Sequence, residues 1–119
     1  MKRGPESEET RSLVVFMEKS ARRSGAPIWK SVASRLGKPR RARPAVNLSK
    51  INRHAKEGEM VLVPGKVLGS GEITRALTIG AAQFSSSALA KIKKAGGKAV
   101  SLQGLVGLAP KGTNVRIIV

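Results

Sequence analysis

The side chains with the plainest chemical use in this sequence are cations. Lys38-Pro39-Arg40-Arg41-Ala42-Arg43-Pro44 carries four positive charges and two prolines in seven residues. Guanidinium forks match phosphate oxygens two at a time, and a lysine adds a mobile point charge. Prolines at that density exclude a helix, so the segment reads as an extended basic arm. Arg22, Arg23, Lys30 and Arg35 precede it. Lys50 and Arg53 continue it one helical turn apart, with His54 beside them, and Lys66 follows. Lys91, Lys93, Lys94 and Lys98 form a later cluster. An ordinary solvated helix face accounts for those late lysines equally well. It does not account for the arm, which has no acid nearby to compensate it. The candidate anion contacts are therefore Arg22, Arg23, Lys30, Arg35, Lys38, Arg40, Arg41, Arg43, Lys50, Arg53, His54, Lys66, Lys91 and Lys94.

Catalytic chemistry has little to draw on. His54 is the only imidazole, and it stands between Arg53 and Lys56; Glu57 is close in sequence, but one helical turn of proximity is weak ground for a carboxylate that orients the ring. Glu6, Glu8 and Glu9 bunch at a predicted helix start, where they complement the dipole. Glu57 and Glu59 flank Gly58 at a turn. Gly69-Ser70-Gly71 lacks the lysine of a phosphate loop and the third glycine of a dinucleotide fingerprint, and Glu72 would repel phosphate. The chain has no cysteine, so a thiol nucleophile, a disulfide framework and a zinc ribbon are excluded. No cofactor, metal or small-molecule substrate is expected.

The 119 residues suffice for one core, built mainly from aliphatic side chains because only Phe16, Trp29 and Phe84 are aromatic. Twenty-three Lys and Arg against seven acids give a net charge of +16. A field of that strength attracts polyanions. Between Glu18 and Glu57 there is no acid, while eleven basic residues lie from Lys19 to Arg53. The start turns acidic instead of apolar, and Leu13–Met17 is far too short to span a bilayer, so a soluble intracellular protein is expected.

Among polyanions, a folded RNA fits best. Trp29 and Phe84 fall at core positions, which leaves no stacking platform for single strands. The irregular stretch from Lys38 to Leu48 is too long for the turn of a helix-turn-helix. The alternative is a basic chromatin protein that compacts duplex DNA.

These cations need elements to hold them. Leu13, Phe16, Met17 and Ala21 make one apolar stripe of a helix from about Ser7 to Ser24. Pro27 opens a second helix with Ile28, Val32 and Leu36 inward, ended by Gly37. Asn47 is placed to cap a third, with Leu48, Ile51 and Ala55 inward, ended by Gly58. Beyond Glu59 the period changes. Met60–Val63 and Lys66–Leu68 read as two short strands split by a turn at Pro64-Gly65. Leu77–Ala82 reads as a strand buried on both faces. Ser85 caps a helix from Ser86 to Ala95 with Ala88, Leu89, Ile92 and Ala95 inward. Lys98–Ser101, a weak helical turn at Leu102–Leu108 and Val115–Val119 complete an α/β body. The expected organisation is a helical basic extension over 1–58, with its arm at 38–44, and an α/β body over 59–119, forming one compact unit.

The body carries a pattern that resembles a known signature. KVLGSGEI followed by LTIGAAQFSSSALAKIKKAGG is similar to the motif shared by large-subunit ribosomal protein fifteen and its relative, ribosomal protein eighteen-e. Lys66, Val67, Leu68, Gly69, Gly71, Ile73, Leu77, Ile79, Phe84, Ser85, Ala88, Ile92 and Gly96 fall at that family's spacing. GAPIW, LGKPRRARPAVNLSKI and the closing PKGTNVRIIV resemble the eighteen-e branch in its short, archaeal form. Ser34 departs from it, standing where a charged residue would be expected. The resemblance implies an irregular ββα superhelix for the body. It also implies a non-catalytic constituent of the large ribosomal subunit, in the cytoplasm, bound as a monomer to ribosomal RNA beside neighbouring ribosomal proteins.

Overall fold

The strand Met60–Leu68 explains most of the architecture, because its side chains alternate between two separate cores. In the computed structural model, which describes residues 8–37 and 44–119, Val61 and Val63 point to one core and Leu62 to the other. Lys38, Arg40, Arg41 and Arg43, and with them the arm, lie outside the described residues.

The elements in chain order are α1 (Glu8–Ser24), α2 (Pro27–Leu36), β1 (Ala45–Asn47), α3 (Leu48–His54) and β2 (Met60–Leu68). They continue with β3 (Thr78–Phe84), α4 (Ser86–Lys94), β4 (Lys98–Ser101), α5 (Leu102–Leu108) and β5 (Val115–Ile117). The five strands form one sheet, parallel throughout. β3 runs along one side of β2. The other side of β2 is shared, with β5 against Met60–Leu62 and β1 against Lys66–Leu68. β4 closes the far edge beside β3.

A parallel sheet is stable only when both faces are covered. Here α3 and α4 cover one face, packing Leu48, Ile51, Ala88 and Ile92 on Val61, Val63, Val67, Ile79 and Ala81. The other face takes α1, α2 and α5, which place Met17, Trp29, Val32, Leu36, Leu102 and Leu105 around Leu62. The expected α/β class is what the chain adopts. Trp29 is fully buried, and its indole Nε1 donates to the Pro110 carbonyl oxygen at 2.6 Å, tying α2 to the segment after α5.

Several local expectations hold for local reasons. Pro27 opens α2, where its missing N–H costs nothing. The Ser85 hydroxyl accepts from Ala88 N at 3.2 Å and caps α4 as expected; Ser101, not among the expected caps, does the same for α5, accepting from Gly104 N at 3.0 Å.

Others give way to tertiary structure. Pro64-Gly65 is not a turn between two strands but a bulge within one, since two residues of β2 face only Ala82 of β3. Proline suits a bulge because it lacks the ladder donor, and Gly65 is required by a close approach. A Cβ there would lie 2.1 Å from the Pro44 oxygen, which accepts from Lys66 N at 3.1 Å and so begins the pairing with β1. β1 itself has no counterpart among the expected strands. Asn47 precedes α3 as expected, but its side chain makes no capping hydrogen bond. Leu89, expected inward, is 44% exposed, because the line along which α4 meets the sheet runs through Ala88 and Ile92, the only buried residues of that helix.

Candidate nucleic-acid interface

Three groups of cations emerge from this frame. Arg22 on α1 and Lys30 on α2 are both exposed and line one groove of about 670 Å³, with Glu18, Ala21, Ala33 and Ser34 completing it. The two helices run side by side because their apolar stripes share the core around Trp29, and that packing brings the two charges to a common rim. Ser34 adds an exposed hydroxyl to the groove. Arg35, also on α2, is half-buried, and its Nε has no hydrogen-bond partner.

The second group sits at the end of α3. Lys50, His54 and Arg116 line a shallow cleft of about 230 Å³ with Ile117, Ile118 and Val119. The Lys50 ammonium donates to a Val119 oxygen, so it is not the freely exposed partner of Arg53 that the helical spacing suggests. Arg53 and His54 are exposed in the last turn of α3, where positive charge complements the helix dipole. Lys66 is exposed on β2 beside β1, at the point where the arm rejoins the described chain.

On α4, Lys93 and Lys94 are exposed but Lys91 is half-buried. Its ammonium donates to the Gly69 and Gly71 carbonyls, each at 2.8 Å, and lies 3.6 Å from Glu72 Oε2. The glycine-rich loop is thus closed by a lysine of the same chain rather than offered to a phosphate. Gly71 is needed there, with φ at +91° and Ser49 so close that a Cβ would come within 2.5 Å.

Two arginines that sequence reasoning passed over have structural partners. Arg75 donates through Nη1 to the Ala55 carbonyl at 2.8 Å and through Nη2 to that of Asn52, finishing the C-terminal end of α3. Arg116 grips Glu59 with both fork positions, Nε to Oε1 at 2.8 Å and Nη2 to Oε2 at 3.1 Å. That guanidinium, aided by the Lys56 backbone N–H, holds the Glu59 carboxyl below its ordinary value. Lys111, also unremarked, shares a groove with Arg23 between α1 and α5. Its only signal was one lysine in a Pro-Lys-Gly turn.

The ion pairs found among the described residues, Glu59–Arg116 and Glu72–Lys91, both brace the fold. Arg11, Lys19, Arg22, Arg23, Lys30, Arg53, Lys56, Lys66, Lys93, Lys94, Lys98 and Lys111 remain as exposed positive charge among the described residues. Among the described residues no cluster of three potential metal ligands occurs, and no helix is long and apolar enough to cross a membrane.

A family model described as "Ribosomal protein 60S L18 and 50S L18e" matches residues 2–119. The chain is 51% identical to the large ribosomal subunit protein eL18 of Halobacterium salinarum, over 90% of this chain and 92% of that one. It is 49% identical to the protein of the same name from Archaeoglobus fulgidus, over 88% and 89% of the two chains. Against that of Pyrobaculum aerophilum it is 41% identical over 98% and 95%.

Proposed function

This chain belongs to the family of ribosomal protein 60S L18 and 50S L18e, and from that premise we propose that ribosomal RNA phosphates hold it in place through its Lys/Arg-rich surface and arm. It is a non-catalytic structural constituent of the large ribosomal subunit, in the cytoplasm. RNA meets it along the Arg22–Lys30 groove, the exposed end of α3 at Arg53 and His54, and the arm with Arg40, Arg41 and Arg43. Lys38, Arg23, Arg35, Lys66 and Lys94 supply further positive charge. Neighbouring ribosomal proteins complete its surroundings, and it occupies its site as a monomer.

One observation carries this reading. Glu59 and Glu72 are paired with Arg116 and Lys91, while the eleven cations from Lys19 to Arg53 have no acid within that stretch. RNA laid against that surface neutralises it and releases the small counterions of both partners. Recognition then rests on phosphate position and the shape of folded RNA, since the one tryptophan is in the core.

The test is the salt dependence of binding to large-subunit ribosomal RNA. Each phosphate contact contributes a log–log slope of about −0.7 to −0.9. Replacing Arg40, Arg41 and Arg43 together with alanine should flatten the slope by roughly 2 while the melting curve is unchanged. An unaltered slope in the triple variant would refute the role of the arm.

A further inference from the structure

Of the three aromatic side chains, Trp29 is fully buried, but Phe16 on α1 is only half-buried and lines a groove of about 460 Å³ between α1 and α5. Val106 and Pro110 extend its apolar surface, and the exposed cations Arg23 and Lys111 line it as well. None of the described residues lining it is acidic, whereas Glu18 lines the groove between α1 and α2. Its volume falls within the range of about 300–1,000 Å³ that small ligands occupy.

Two polar groups of the groove are left without work in the fold. Gln103 is exposed, and among the described residues its amide has no hydrogen-bond partner. The Val106 carbonyl lacks its helical donor, because Pro110 stands four residues on and has no N–H. Helical carbonyls point towards the C-terminal end, which here is the Pro110 end of the groove. The other polar groups are committed: the Ser20 hydroxyl donates to Phe16 O at 2.9 Å, the Ser24 hydroxyl to Ser20 O at 2.8 Å, and the Trp29 indole to Pro110 O.

We propose that this groove receives an unpaired nucleotide of the large-subunit RNA, with its base on Phe16 and Pro110, its edge on Gln103 and the Val106 carbonyl, and its flanking phosphates on Arg23 and Lys111. This base contact rests on the RNA reading of the chain and adds to its phosphate contacts. Arg23 and Lys111 alone would take a carboxylate as readily. The combination selects a nucleotide, which joins a flat apolar face, a polar edge and a phosphate on each side of one sugar. Seating the base therefore brings the anions to the cations without ordering a second group. An extended peptide carries backbone N–H and C=O groups along its length, and the Phe16 and Pro110 rings pair none of them. A carbonyl acceptor favours adenine, cytosine or guanine, which bear exocyclic amines, over uracil.

Because the chain has no cysteine, Leu108→Cys, at a site 54% exposed and one residue past the groove's Gly107, gives a single attachment point for Fe(II)-EDTA. Large subunits are assembled with the labelled chain, and the cuts made by its hydroxyl radicals are mapped by primer extension. They should centre on one unpaired A, C or G. In subunits with the parent chain, the pairing edge of that base should be protected from dimethyl sulfate or, for G, kethoxal. Gln103→Leu should raise its modification rate about threefold to tenfold and leave the melting curve of the isolated chain in place. Arg23→Gln with Lys111→Gln should lower the salt slope of RNA binding by about 1.4–1.8. Cuts in a neighbouring protein but not in RNA would give the groove to a peptide and overturn the proposal. So would cuts confined to paired nucleotides or uracils, a modification rate or salt slope that these variants leave unchanged, or a melting point lowered by Gln103→Leu. Those outcomes concern a chain seated in the subunit; a chain that fails to sediment with it and an arm variant of unaltered slope would instead overturn the RNA reading, and this nucleotide site with it.

Discussion

Gly65→Ala should unfold the junction between β1 and β2 more than any conservative exchange on the surface. The added Cβ would stand 2.1 Å from the Pro44 carbonyl oxygen and 3.1 Å from its carbon. That oxygen belongs to the backbone, so no rotamer change relieves the overlap. The carbonyl must retreat by roughly 1.5 Å to reach ordinary contact. Its bond from Lys66 N, now 3.1 Å, is then lost, and the three-residue pairing of β1 is pulled with it. Val46, 2% exposed on β1, begins to leave the core. A lost hydrogen bond costs about 1 kcal/mol and overpacking about 1–3 kcal/mol, giving about 2–4 kcal/mol in all. For a chain of this length that lowers the melting midpoint by about 8–16 °C, read by circular dichroism. Gly37→Ala is the control, because its Cβ would sit 3.5 Å from Ala33 O at φ −73°, in ordinary contact. It should change stability by no more than about 1 kcal/mol, and in the favourable direction. If Gly65→Ala melts within about 1 °C of the parent, the bulge tolerates a side chain and the argument fails.

Two further outcomes follow from the cations that the fold consumes. Lys91→Met keeps the aliphatic stem but strands the Gly69 and Gly71 carbonyls, so it should cost about 1–3 kcal/mol and speed amide exchange across residues 69–72. The same change should leave the salt slope of RNA binding within about 0.5 of the parent, since that ammonium is already committed; a loss near one full unit would mark Lys91 as a phosphate contact instead. The Glu59 carboxyl titrates below its ordinary value in the folded chain, because Arg116 and the Lys56 N–H favour its charged form. Its stabilisation is therefore complete above the unfolded value of about 4.5 and disappears as pH falls through the lower folded value. Glu59→Gln should melt below the parent at pH 7, with the gap closing under pH 4.5; a gap of constant size from pH 7 to pH 3 would contradict the assignment.

The amino-acid sequence by itself determined the features that depend on composition and on neighbours a few residues apart. The charge of +16, the lack of acid from Glu18 to Glu57 and the absence of cysteine are properties of the list of residues. Pro27 at the start of α2, Ser85 before α4 and the stripe of α1 are stereochemical facts within one or two helical turns. The signature from Lys66 to Gly96 was legible for the same reason, as an ordered series of local spacings. Tertiary structure alone decided how those pieces meet. Pro64-Gly65 has the same local preferences in a turn as in a bulge, and only pairing of β2 with β3 on one side and β1 on the other chose the bulge. Leu89 carries the same helical period as Ile92, yet only the line of contact with the sheet shows that it stays outside. Lys91 and Arg75 look like free surface charge until distant carbonyls are folded against them. The α1–α5 groove unites Arg23 with Lys111, residues from opposite ends of the chain. Periodicity states which face a side chain occupies, but not what stands across from it; that is settled by which segments close on one another to bury both faces of a parallel sheet.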